Sequence, residues 1–264
     1  MSTKRVPFYP FVVLRLLIAY ATYFGVNFVF VTAAWPLLLI LTAVPRVKAW
    51  ALRIAVHDYL AFFSRCWLPG LGIYQIAELP KALPSRPVLY VANHRGFMDA
   101  PLLLGLLPET GVLVKSRYTR WMLPGLLARH FDLVSLNPNS LASVQAAYAR
   151  CQSVVSAGRN LLVFPEGTRA GTGRLGRFKS VAFRIAVETR TPVVPVVIHS
   201  TEPFMAKVPG SIFPRRSNVY RLRLLDRVEV LPDDSADALA DRVYRRMARE
   251  LKELDKNTVW ETLQ

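Results

Sequence analysis

His94 and Asp99 bracket the stretch Asn93-His94-Arg95-Gly96-Phe97-Met98-Asp99, which directly follows the apolar run Val88 to Ala92. In a continuous helix this H-x4-D spacing would point the two side chains about 140° apart, at about 100° per residue, so they pair only across a turn. Gly96 permits the turn, and Pro101 suits the entrance of a helix beyond it. Paired in this way, the carboxylate fixes the imidazole tautomer and leaves the second ring nitrogen to take a proton from a hydroxyl. Taken alone, the spacing is a common one. A second segment, Phe164-Pro165-Glu166-Gly167-Thr168-Arg169, follows another apolar run. Its Gly167 lets backbone approach an anion, and Arg169 offers a planar fork for phosphate, with Arg174, Arg177 and Lys179 close behind. A solvated basic loop reads the same way when it stands by itself.

Short apolar runs alternating with helical stretches must position these segments, and that alternation predicts an α/β fold. The expectation is a single catalytic domain with a mostly parallel central sheet flanked by helices, over residues 68–264. Expected strands are Val88 to Ala92, Val112 to Lys115, Leu133 to Leu136, Leu161 to Phe164, Val193 to Ile198, Tyr220 to Leu225 and Val228 to Leu231. Expected helices are Pro101 to Leu107, Arg120 to Arg129, Leu141 to Ser156, Phe178 to Glu188 and Ala236 to Leu254. Both chemical segments then fall at the carboxyl ends of strands, where open α/β sheets collect ligands.

Residues 1–67 read differently. Leu16 to Val44 is a run of 29 residues without a charge. As one helix it would be about 44 Å long against a hydrocarbon core of about 30 Å, so it must tilt or break. Gly25, Asn27 and Pro36 offer breaks, and basic residues flank the run on both sides: Lys4, Arg5 and Arg15 before it, Arg46, Lys48 and Arg53 after it. Since positive charge prefers the cytoplasmic side, the symmetry predicts a membrane-embedded helical hairpin that enters and leaves by the cytoplasmic face. Trp50 to Trp67 continues as an amphipathic helix for the headgroup zone, ended by Pro69 and Gly70.

Composition narrows the partners. A hydrophobic fraction of 52% together with a net charge of +16 points to an anionic lipid surface. Nucleic acid is not expected, because neither zinc-finger spacing nor an RNP-like aromatic motif is present. Cys66 and Cys151 are too few for a disulfide scaffold and lack metal-ligand spacing, which fits a reducing compartment. No G-x-S-x-G elbow supplies a serine nucleophile, so direct attack by an acceptor hydroxyl is the simpler chemistry. A non-catalytic lipid or anion binder would have no need of the His94 and Asp99 pair, whereas a thioester or lipid hydrolase would use the same base.

Taken in order, NHRGFMD, then FPEGTR, then Pro192 to Val196 strongly resemble the lysophospholipid acyltransferase family that includes the 1-acylglycerol-3-phosphate acyltransferases. The resemblance spans roughly residues 80 to 200. It implies transfer of a fatty acyl group from acyl-CoA or acyl-carrier protein to a lysolipid hydroxyl at the cytoplasmic face of the inner membrane, with no metal or covalent enzyme intermediate. It also implies that His94 is the base, that Asp99 orients it, and that Glu166, Gly167, Thr168 and Arg169 hold the acceptor phosphate. Asn93, Lys115 and Lys179 complete the expected substrate-contacting set. The family usually places an Arg where this chain has Asn137, which leaves room for a different acceptor, such as a lyso-aminolipid or a hydroxylated acyl chain. Lys115, Arg117 and Arg120 lie just upstream and could supply the missing charge.

Overall fold

The computed structural model describes residues 10–34, 36–37, 40, 49–80, 82–84, 87–119, 132–169, 175–201 and 218–261. The first helix, α1 (Pro10–Val29), runs through Gly25 and Asn27 without the expected break and widens into a π-type turn at Phe30–Ala34. A glycine inside a helix costs only about 1 kcal/mol, which the packing of this helix offsets. The next helix, α2 (Ala49–Phe62), widens likewise at Phe63–Trp67. Tyr23 meets Phe63 at 5.1 Å and Phe30 stacks on Tyr59 at 4.4 Å, while Trp67 Nε1 donates to Thr22 Oγ1 at 3.3 Å. These contacts ascend one helix as they descend the other, so α1 and α2 form an antiparallel pair. The partner of α1 is therefore the stretch expected to be a separate amphipathic helix, and the return limb expected before Val44 lies largely outside the described residues. Among the described residues, no helix is long and apolar enough to cross a membrane.

After a short helical turn at Leu68–Gly70, the remaining elements are β1 (Tyr74–Glu78), β2 (Leu89–Ala92), α3 (Asp99–Leu104), β3 (Thr110–Lys115), α4 (Ser116–Thr119), β4 (Leu133–Leu136), α5 (Leu141–Ser156), β5 (Asn160–Val163), α6 (Val181–Thr189), β6 (Val193–Ser200), β7 (Asn218–Leu224) and α7 (Ala236–Glu261). The strands form one sheet in the order β1-β7-β6-β2-β5-β3-β4. Every neighbouring pair is parallel except β6 and β7. The mostly parallel sheet is as expected, and β1 is an addition at one edge. The strand expected at Val228 to Leu231 shrinks to a single bridge between Val228 and Val193, because the chain turns away at once and Leu231 N donates to Asp234 Oδ2. The helix expected at Arg120 to Arg129 lies outside the described residues.

Strands β2 and β6 are buried along their whole length. Their side chains alternate between two cores, as a period of two requires. Tyr90, Ala92, Val194, Val196 and Ile198 face one side, where Leu16 and Ala19 of α1 and Phe63 join them. Leu89, Val91, Val193 and Val197 face the other, against Val155 of α5, Phe183 of α6 and Leu239 and Val243 of α7. The central strand β2 is thus fixed from both faces. The loop at its carboxyl end starts from a rigid base.

Candidate active site

Beyond Ala92 the backbones of β2 and β6 are joined by a side chain. Asn93 Nδ2 donates to Ile198 O at 2.9 Å, and Asn93 Oδ1 accepts from Ile198 N at 2.7 Å. The amide acts as one more rung of the ladder and holds the start of the loop. The chain then turns through His94, Arg95 and Gly96 into α3, whose first residue is Asp99. Asp99 Oδ2 lies 2.9 Å from His94 Nδ1 and accepts from Arg95 N at 2.6 Å and Gly96 N at 2.8 Å. A carboxylate only accepts, so the proton of the neutral ring sits on Nδ1 and Nε2 is the basic atom. The Asp99 side chain is fully buried while that of His94 is 20% exposed. Phe164 covers one side of the imidazole, with ring centroids 4.3 Å apart.

The second loop follows β5, the strand hydrogen-bonded to β2. Glu166 Oε1 accepts from His94 N at 2.9 Å and Oε2 accepts from Gly176 N at 2.8 Å. This carboxylate ties together three stretches of chain. Burial pushes its carboxyl above the ordinary range, and the two backbone donors with the charges of His94 and Arg95 work against that rise. Gly167 adopts a φ of +63°, and a Cβ there would stand 3.2 Å from Lys179 Cε and Nζ. Glycine is what lets Lys179 lie across the loop. Lys179 N also donates to Pro165 O at 2.9 Å.

Both loops open onto a cavity of about 310 Å³ over the carboxyl ends of β2, β3, β4 and β5. His94, Lys115, Arg117, Thr168, Arg169 and Lys179 supply its polar lining. Phe97, Leu104, Leu136 and Phe164 supply apolar lining, and Tyr23, Tyr59 and Phe63 close it from the α1–α2 pair. A basic nitrogen therefore stands in a greasy cavity beside four cationic side chains. That is the combination a phosphate-bearing amphiphile requires. Among the described residues, no group of three or more His, Cys, Asp or Glu could hold a metal ion.

Residues 74–199 match the family model described as Acyltransferase. The chain is similar to the chloroplastic 1-acyl-sn-glycerol-3-phosphate acyltransferase BAT2 of Brassica napus, with 36% identity over 150 residues that cover 54% of this chain and 43% of that protein. It is similar also to 1-acyl-sn-glycerol-3-phosphate acyltransferase alpha of Bos taurus, with 31% identity over 175 residues covering 65% of this chain and 60% of that one. The match thus spans less than two thirds of either relative's length. The crystal structure of the 1-acyl-sn-glycerophosphate acyltransferase PlsC from Thermotoga maritima superposes with a TM-score of 0.74 at 22% identity, over 92% of this chain and 98% of that one, a likeness of fold.

Within the matched residues, His94, Lys115, Gly167, Thr168, Arg169 and Lys179 converge on the one cavity, while Asn93, Asp99 and Glu166 stand behind its wall. Asn93 and Glu166 direct their polar atoms to backbone partners and so brace the two loops. Asn137 Oδ1 accepts from Asn139 N at 3.1 Å and its own N donates to Ser143 Oγ at 2.9 Å, closing a turn while its neighbours Leu136 and Pro138 line the cavity. Arg120 and Arg174 lie outside the described residues. Sequence reasoning did not anticipate the aromatic cover from Tyr23, Tyr59 and Phe63. No spacing links these residues to the motifs, because helix packing alone brings them there.

Proposed function

We propose that this protein transfers a fatty acyl group from acyl-CoA or acyl-carrier protein to the hydroxyl of a lysophospholipid such as 1-acylglycerol-3-phosphate. The observation that carries the reading is the His94–Asp99 pair, with Nδ1 engaged at 2.9 Å and the ring edge opening onto the cavity. In this reading the acceptor hydroxyl gives its proton to His94 Nε2 as its oxygen attacks the thioester carbonyl. The tetrahedral intermediate then collapses, the C–S bond breaks, and the leaving thiolate takes the proton back from the imidazolium. Asp99 holds the ring in orientation and offsets the imidazolium charge. Arg169 and Lys179, with Lys115 and Arg117 across the cavity, suit the acceptor's phosphate.

The same reading places the protein on the cytoplasmic face of a membrane. Leu14, Leu17, Ile18, Phe24 and Phe28 of α1 are exposed, and the chain carries a net charge of +16. An apolar helix surface on a basic protein suits the interface of an anionic bilayer. An acceptor screen with the purified full chain and labelled acyl-CoA, read by mass of the lipid product, tests the proposal. Acylated lysophosphatidic acid is the expected product. Free thiol released at the same rate without any acceptor would make the protein a thioesterase instead.

A further inference from the structure

Arg95 follows the base directly, yet its side chain turns away from the cavity. The residue is only 5% exposed. Its Nη2 atom has no hydrogen-bond partner among the described residues and lies 3.9 Å from Asp255 Oδ1 on the C-terminal helix. A buried guanidinium is costly unless charges compensate it, and here several do. Asp255, Asp99, Glu166 and Tyr220 all act on it, against the burial that otherwise pulls its proton affinity down. The Asp255 carboxylate also meets His199 Nε2 at 3.2 Å. His199 belongs to β6, one residue beyond the Ile198 that Asn93 grips. One end of the His94 loop is therefore held to β6 by Asn93, and the next turn faces α7 through Arg95.

Electrostatics gives the arrangement a second consequence. Asp99 is fully buried, and its Oδ1 has no hydrogen-bond partner among the described residues. Glu166 is buried as well. Two carboxylates thus flank the loop in a region of low dielectric, and Arg95 is the buried cation among them. We propose that Arg95 is a positioning residue for acyl transfer: set against Asp255 of the C-terminal helix, it fixes the loop that carries His94 and supplies the countercharge for Asp99 and Glu166. The proposal rests on the reading of His94 as the base.

The test is steady-state kinetics of the purified full chain in vesicles, with lysophosphatidic acid and acyl-CoA, across the pH range. Arg95→Met, Arg95→Lys, Asp255→Asn and His94→Ala are compared with wild type. Removing a buried cation favours the protonated state of every group around it, so the acid limb of the kcat/KM profile moves to higher pH in Arg95→Met. The groups facing the guanidinium are Asp99, Glu166, Asp255 and Tyr220, with His199 and Arg221 behind Asp255. The expected result is a fall in kcat of about tenfold or more with acceptor KM within about threefold, since the base is misplaced while the cavity is untouched. Arg95→Lys returns the acid limb toward its original position without restoring full kcat, because the charge is recovered while the shape and packing of the guanidinium are not. Where Arg95→Met does not fold, Asp255→Asn carries the test, with a smaller fall in kcat and a shift of the limb to lower pH, because the charge removed is negative. A folded Arg95→Met or Asp255→Asn with an unmoved profile and wild-type kcat overturns the proposal. Full activity in His94→Ala instead overturns the reading of the base itself, which separates the two failures.

Discussion

The imidazole of His94 meets the buried carboxylate of Asp99 through Nδ1 at 2.9 Å, and the same carboxylate oxygen accepts the backbone N–H groups of Arg95 and Gly96. The orienting group thus shapes the loop as well as the ring. His94→Ala is expected to lower turnover by about 10² to 10⁴ while leaving the fold intact. Asp99→Asn keeps an oxygen acceptor but removes the charge beside the imidazolium, so it is expected to lose less. Stopped-time assays on both variants, with melting curves as the fold control, check the ranking. Turnover of His94→Ala within about threefold of wild type would remove the residue from the mechanism.

Arg169 and Lys179 reach the cavity from the same loop region. Arg169→Lys replaces a planar fork by a point charge, so the acceptor KM is expected to rise about tenfold with little change in kcat. Titration with lysophosphatidic acid at saturating acyl donor measures it. An unchanged KM would place the phosphate elsewhere.

At Gly167 the φ of +63° and the 3.2 Å approach of Lys179 leave no comfortable space for a methyl group. Gly167→Ala is expected to cost about 1 kcal/mol or more in stability, read by urea unfolding, because a non-glycine residue strains there. The displaced Lys179 should raise the acceptor KM in the same variant. Loss of stability without any change in KM would separate Lys179 from acceptor binding.

Burial raises the Glu166 carboxyl above its ordinary range, so the folded chain holds that proton more tightly than the unfolded chain does. Its contribution to stability is complete below the ordinary carboxylate value of about 4.3 and is lost as pH rises from there through the folded value. Glu166→Gln does not titrate. Its stability relative to wild type is therefore expected to improve as pH climbs through that window, even though the variant loses an acceptor for His94 N or Gly176 N. A difference in urea midpoint that stays flat with pH would contradict this.

Cys151 is fully buried and its thiol is pushed up to about 12 by burial, whereas Cys66 is exposed. A maleimide at neutral pH is expected to label Cys66 alone in the native protein and both residues in denaturant, since the thiolate is the reacting form. Rapid native labelling of Cys151 would mean that α5 opens readily from the sheet.

Short-range relations were decided along the chain itself. His94, Gly96 and Asp99 lie within one turn of each other, and so do Glu166, Gly167 and Arg169. A strand end, a glycine and a helix start suffice to set each group, since covalent geometry limits where such near neighbours can go. The alternating apolar runs also announced the parallel sheet, because a strand buried on both faces must be apolar at nearly every position. Relations across the chain were decided only by tertiary structure. The Glu166 carboxylate reaches the backbone of a residue 72 positions away because β2 and β5 are neighbours in the sheet, an order that no local pattern encodes. The edge strand Tyr74–Glu78 exists because β7 offers it a partner, and its five half-polar residues carry little strand signal of their own. Tyr23, Tyr59 and Phe63 read as membrane-facing aromatics, yet antiparallel packing of α1 on α2 turns them over the cavity. An apolar side chain is equally at home against lipid or protein, because the hydrophobic effect has no direction of its own. Only the assembled fold settles which neighbour it meets.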